Sequence, residues 1–242
     1  MYTNHYDAIV FDFDGTLVKS NKVKTWAFGK LYEEYGDKIV KQVISYQNEH
    51  EGLSRFSKFR YWHKNFLHLA YTDEIGEKLS RSFSQLVFNR IVDSPYVEGA
   101  IEFLQKYYQI LPLFVASATP ENELREIIKR RSMNRYFREI YGSPAKKSEI
   151  LISIYTSFHW FPERILMVGD SLSDLEGAKS VKTYVMRLPK ILGFIAVLFA
   201  ILAFSRPQSS YHESEVSYQG REIILCIDTS FSMTGEAMEK IR

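Results

Sequence analysis

Ala8-Ile9-Val10-Phe11-Asp12-Phe13-Asp14-Gly15-Thr16 is an apolar run that ends in two carboxylates and a glycine. Residues 8–13 have the composition of a buried strand. Asp12 and Asp14 stand two apart, so an extended backbone places both side chains on one side. The chain can then turn at Gly15, where positive φ costs nothing. Two acids at a strand end repel unless a cation sits between them or one is protonated. Both outcomes suit catalysis, with Asp12 ionised as a nucleophile toward phosphorus and Asp14 carrying a proton to the leaving oxygen. An acid pair after an apolar run is common, however, and its weight depends on the loops that the other strands lead into.

Further apolar runs at Leu113–Ala116, Arg138–Tyr141, Ile165–Val168 and Thr183–Met186 read as strands. They alternate with helical spacing, as in Glu98–Tyr108, where Ala100, Ile101, Leu104 and Tyr108 share a face. Near-continuous apolar strands alternating with helices predict an α/β fold built on a parallel sheet covered on both sides. Residues 20–93 contain no convincing strand and read as four helices at about 21–35, 37–49, 54–69 and 73–91. Gly36, Gly52 and the Tyr71-Thr72-Asp73 turn separate them. An insertion this long is predicted to be a small helical cap, its aromatic residues serving mostly as core.

Ligands of open parallel sheets bind beyond the carboxyl ends of the strands. After the second strand comes Ser117-Ala118-Thr119-Pro120, where hydroxyls and free N–H groups at a helix start make an anion site. Thr119 is also a good N-cap. After the third, Lys146 or Lys147 can neutralise a phosphate, although either lysine alone reads equally as solvated surface. After the fourth, Gly169-Asp170-Ser171-Leu172-Ser173-Asp174 brings two more carboxylates. Gathering these acids with Asp12 and Asp14 demands a hard cation with oxygen ligands, and Mg²⁺ is the natural candidate. No Cys or His set with transition-metal spacing competes. Four strand ends thus supply nucleophile and acid, phosphate clamp, cation and metal ligands, the groups that phosphoryl transfer needs.

With these motifs in place, residues 5–188 resemble the haloacid dehalogenase superfamily, in its phosphoglycolate-phosphatase-like branch with a helical cap. Tyr96-Val97-Glu98-Gly99-Ala100, re-entering the core after the cap, adds to the likeness. The resemblance implies a Rossmann-like core of residues 1–19 and 94–188 with a cap of residues 20–93. It implies an aspartyl-phosphate on Asp12, acid–base work by Asp14, and Mg²⁺ held by Asp12, Asp170 and the backbone carbonyl of Asp14. Asp174 would orient a metal-bound water or the lysine. That lysine is taken as Lys147, which stands directly before Ser148-Glu149, with Lys146 as the substitute. Ser117 and Thr119 would meet the transferred phosphate. In the cap, Arg55 is the candidate for contact with the leaving group, with Lys58 behind it. Because carbon–halogen and carbon–phosphorus cleaving members lack the second acid, Asp14 favours phosphate esters. The expected substrate is a small phosphorylated metabolite, with a phosphomutase as the lesser alternative.

The bulk numbers fit. A chain of 242 residues can bury a substantial core, and a net charge of +2 gives no reason to invoke nucleic acid. Cys226 is the only cysteine, so no intramolecular disulfide can form. The N-terminal residues carry no secretory pattern, so the catalytic part is expected in the cytoplasm. Oligomeric state is not legible.

The last fifty residues or so depart from this pattern. Ile191–Phe204 has no charged or polar side chain and lies between Lys190 and Arg206. Residues 189–206 therefore read as a short transmembrane helix, spanning about 21 Å over the apolar stretch. Residues 207–242, with Asp228, Ser230 and Ser232 after an apolar run, resemble a truncated von Willebrand factor A domain of a membrane-anchored protein. The chain then reads as a composite, with the enzyme tethered to the inner face of a membrane. A membrane-tethered, metal-dependent interaction protein is the alternative function.

Overall fold

The computed structural model describes residues 6–187. The expected membrane helix at 191–204 and the von Willebrand-like segment at 207–242 lie outside the described residues. Among the described residues, no helix is long and apolar enough to cross a membrane.

Five strands, β1 (Ala8–Phe11), β2 (Leu113–Pro120), β3 (Glu139–Ser143), β4 (Ile165–Gly169) and β5 (Tyr184–Arg187), form one sheet in the order β3-β2-β1-β4-β5. Every pairing is parallel. The central strand β1 is buried on both faces, as its unbroken apolar run requires. Its alternation sorts the core. Ile9 and Phe11 pack toward helices α5 (Ala100–Tyr107) and α6 (Glu121–Arg130). Ala8 and Val10 face α7 (Lys147–Phe158) and α8 (Leu172–Ser180). Because all strands run the same way, the loops after β1, β2, β3 and β4 converge at one edge of the sheet.

The cap comprises α1 (Asn21–Leu31), α2 (Asp37–Glu49), α3 (Arg55–Trp62) and α4 (Asp73–Val92). The stretch expected as a single helix over 54–69 is α3 followed by a π-helical turn, His63–Leu67, which ends where His68 adopts φ 55°. Phe28, Tyr32, Phe59, Trp62 and Phe83 fill the cap interior, with Phe28 stacked on Phe83 at 4.1 Å. Each such ring contributes about 2–3 kcal/mol by burial, which is what lets so small a helical unit hold together. Not all the aromatics are core, however: Trp26, Tyr35 and Tyr61 remain exposed. The two strands of chain joining cap to core run side by side, with Lys19 N–H donating to the Pro95 carbonyl at 2.9 Å and Val97 N–H to Leu17 at 3.0 Å.

β2 does not stop at Ala116 but runs to Pro120, with an irregularity in its register against β3 between Ala116 and Pro120. Helix α6 therefore starts at Glu121 with Pro120 at its N-cap, and Thr119 does not cap it. The extension keeps Thr119 within β2 and leaves its hydroxyl for other partners.

Candidate active site

Asp12 follows β1 and is buried; its Oδ1 accepts the Phe13 N–H at 2.7 Å and its Oδ2 lies 3.1 Å from Lys147 Nζ. Lys147 is the first residue of α7 and also contacts the buried carboxylate of Asp174. Asp174 in turn accepts the Ser171 N–H at 3.0 Å and the Ser171 hydroxyl at 2.6 Å, closing a capping box on α8. Its carboxylate thus serves both the lysine and the helix start. Burial alone would lower the proton affinity of Lys147, but Asp12 and Asp174 outweigh it and raise its pKa, so the ammonium stays charged. Lys146, one residue earlier, is exposed.

Asp12 and Asp14 do not share one environment. Asp14 turns toward the cap. Its Oδ2 lies 2.5 Å from Lys24 Nζ and accepts the Thr119 hydroxyl at 3.1 Å, with Ser117 Oγ at 3.4 Å. The Ser20 hydroxyl donates to its other oxygen at 2.6 Å. Lys24 also reaches Thr119 Oγ1 at 2.8 Å, and Thr119 N–H donates to Ser117 Oγ at 3.1 Å. Burial, the largest single influence on Asp14, pushes its pKa up. Lys24 and the hydroxyls together prevail and hold it below the usual carboxylate value. Asp12 is opposite in sign: burial first, then Asp174, Asp170 and Asp14, raise it well above the ordinary value despite Lys147.

Asp12, Asp170 and Asp174 each place one oxygen within 4.8 Å of the others. Asp170 accepts from Asn21 Nδ2 at 2.9 Å, and its pKa is raised to about 6, chiefly by burial and then by Asp174. Gly15 makes the approach feasible: its φ is +78°, and a Cβ there would fall 2.1 Å from Asp170 Oδ2. Buried carboxylates that repel one another, all oxygen donors with no sulfur or imidazole among them, suit a hard divalent cation. The raised pKa is also linked to stability. The fold binds Asp170's proton more tightly than the unfolded chain does, so this residue costs stability as pH rises from 3.8 towards about 6, and the whole cost is present at pH 7. At its upper bound that is about 3 kcal/mol. Asp170→Asn is therefore expected to raise the melting temperature of metal-free protein at pH 7.5, a gain that shrinks as pH is lowered towards 4. MgCl₂ should stabilise the wild type at pH 7.5 and leave the variant unmoved. Identical melting curves for both proteins, with and without Mg²⁺, would contradict this.

Cap residues complete the cleft. It is lined by Asp12, Asp14, Ser117, Thr119 and Asp170 from the core and by Lys24, Phe28, Gln47, Arg55, Lys58 and Phe83 from the cap. Arg55 is buried, and its guanidinium forms a two-pronged pair with Glu123 of α6 at 2.8 Å on each prong. Lys58 is buried as well, bonded to Gln47 Oε1 at 2.6 Å and the Glu51 carbonyl at 3.1 Å. Gly52 rests on α8, with Ser173 Oγ donating to its carbonyl at 3.1 Å, so the cap loop sits against the loop bearing Asp170. Sequence reasoning missed Ser20, Asn21 and Lys24. Their one signal was position: they follow the acid pair and recur at helical spacing at the start of α1.

A family model described as haloacid dehalogenase-like hydrolase matches residues 9–187. A phosphorylated carbohydrates phosphatase from Thermotoga maritima is 26% identical over 182 residues, covering 72% of this chain and 81% of its own. Among solved structures, the magnesium-bound hydrolase YfnB from Bacillus subtilis superposes with a TM-score of 0.60 at 17% identity, covering 82% of this chain and 99% of that one. CbbY from Rhodobacter sphaeroides, in complex with xylulose-(1,5)bisphosphate, gives 0.62 at 16% identity, covering 76% and 88%. At those identities the two structures speak to the fold.

Proposed function

This chain belongs to the haloacid dehalogenase-like hydrolase family, and from that membership we propose that it is a phosphatase acting on a small phosphorylated carbohydrate through an aspartyl-phosphate on Asp12. The observation that carries the reading is the division of labour between the two acids. Asp12 faces Lys147 and the carboxylate cluster, whereas Asp14 faces Lys24 and the two hydroxyls of the loop after β2. By itself the chain raises the proton affinity of Asp12 and lowers that of Asp14, the reverse of what attack and proton donation need; a divalent cation beside Asp12 would ionise it, and a phosphate beside Asp14 would raise it.

Asp12 attacks phosphorus, forming an acyl phosphate as the ester P–O bond breaks. Asp14, once protonated, gives its proton to the departing alkoxide. The negative phosphate arriving beside it supplies the rise in proton affinity, opposing the hold of Lys24. Ser117 and Thr119 offer hydroxyl and backbone donors to the phosphoryl oxygens, and Lys147 balances their charge from the far side. In the second step Asp14, now a carboxylate, takes a proton from water whose oxygen attacks phosphorus, and the bond to Asp12 breaks. Mg²⁺, when bound, would neutralise phosphoryl charge; Asp12, Asp170 and the Asp14 backbone carbonyl would hold it, with Asp174 positioning Lys147 behind them. The name of the Thermotoga maritima relative supports phosphorylated carbohydrates as the substrate class.

Phosphate release by the full chain, in detergent with MgCl₂, across triose, pentose and hexose phosphates tests this directly. Release that requires Mg²⁺ and is fastest with sugar phosphates is expected. A folded protein silent on every member of the panel would refute it.

A further inference from the structure

Arg55 lines the cleft from the cap, yet its charge is already matched. Glu123, in the first turn of core helix α6, grips both prongs of the guanidinium at 2.8 Å. Ser84 locks the pair, donating to Glu123 Oε2 at 2.5 Å and accepting from Arg55 Nη1 at 2.7 Å. The guanidinium also lies 4.6 Å from the centre of the Phe83 ring. The two side chains are only 3% and 11% exposed, so water does not screen them. Glu123's charge is further favoured by the helix N-terminus that carries it. Glu123 takes the Nη1–Nη2 edge of the fork and cancels its charge, so the pair exerts little net attraction on another anion. The remaining cations of the cap do not replace it. Lys24 is held by Asp14, and Lys58, bonded to an amide oxygen and a backbone carbonyl, has its pKa lowered to about 7 by burial, which leaves it a better partner for a hydroxyl than for an anion. Gln47 and Lys58 present hydrogen-bonding groups suited to hydroxyls.

We propose that Glu123 is a specificity-determining residue: by occupying Arg55 it closes the cap to a second anionic group, and so selects phosphomonoesters whose leaving group is an uncharged polyol over bisphosphates. This rests on the phosphatase reading for its meaning, but it can be scored without turnover. Equilibrium binding of fructose 6-phosphate and fructose 1,6-bisphosphate would be measured on the full chain with Asp12→Asn, and again with Glu123→Gln and with Glu123→Gln/Arg55→Met added. Glu123→Gln should raise the bisphosphate-to-monophosphate affinity ratio at least tenfold, and removing Arg55 as well should return it to the starting value. A ratio unmoved by Glu123→Gln, a rise that survives loss of Arg55, or binding of neither sugar by any variant would overturn the proposal. If Glu123→Gln fails to fold, the Asp12→Asn protein alone decides: bisphosphate bound ten times more tightly than monophosphate sinks the idea. Phosphate release by the wild type, scored separately, tells whether the phosphatase reading fails independently.

Discussion

Asp12→Asn is expected to reduce phosphate release by on the order of 10⁴-fold or more, with the fold intact. The amide keeps the shape of the carboxylate and can still meet the Phe13 N–H or Lys147, but it cannot form an acyl phosphate. The same change removes a charge that burial, Asp174 and Asp170 together disfavour more than Lys147 favours it. The metal-free variant should therefore melt no lower than the wild type at pH 7, a combination that separates a chemical role from a structural one. A variant that loses activity because it unfolds would show a lowered melting temperature instead.

Lys147→Met should be costly on both counts. It removes the cation between Asp12 and Asp174, which are 7% and 0% exposed as side chains, leaving two buried carboxylates to face each other. Breaking a buried pair in this way costs about 3–5 kcal/mol, a fall in melting temperature on the order of 10 °C for a domain of this size. Turnover should drop by about 10³-fold, because charge developing on the phosphoryl group loses a fixed counter-charge. Lys146→Met, at an exposed position, is expected to leave turnover within about twofold and the melting temperature within about 2 °C, as surface changes usually do. Thermal melts and steady-state rates on the two variants check the assignment, and equal losses from both would contradict it.

Much of this site is readable in the amino-acid sequence because it is built from strand ends. A parallel sheet brings every strand's carboxyl end to one edge, so the loops after β1, β2, β3 and β4 have to meet. Asp12, Ser117 and Asp170 are found on that logic, which leaves Lys146 and Lys147 both open; the choice of Lys147 comes with the family resemblance. Partners supplied by the cap are not legible, since its orientation depends on tertiary packing that no local pattern records. Lys24 looks in sequence like one more surface lysine on a helix, and Glu123 like a favourable charge at a helix start. Arg55, expected to contact the leaving group, is instead gripped by the core. Thr119 is misread as a cap because strand β2 continues beyond the apolar run that marks it in sequence.

The most direct test of the aspartyl-phosphate route is acid quenching of the full chain during turnover of its best sugar phosphate, with mass spectrometry of the peptides. One phosphoryl group on Asp12 is expected, absent from the Asp12→Asn protein. Rapid phosphate release with no modified Asp12, or with the phosphoryl group on another residue, would contradict it.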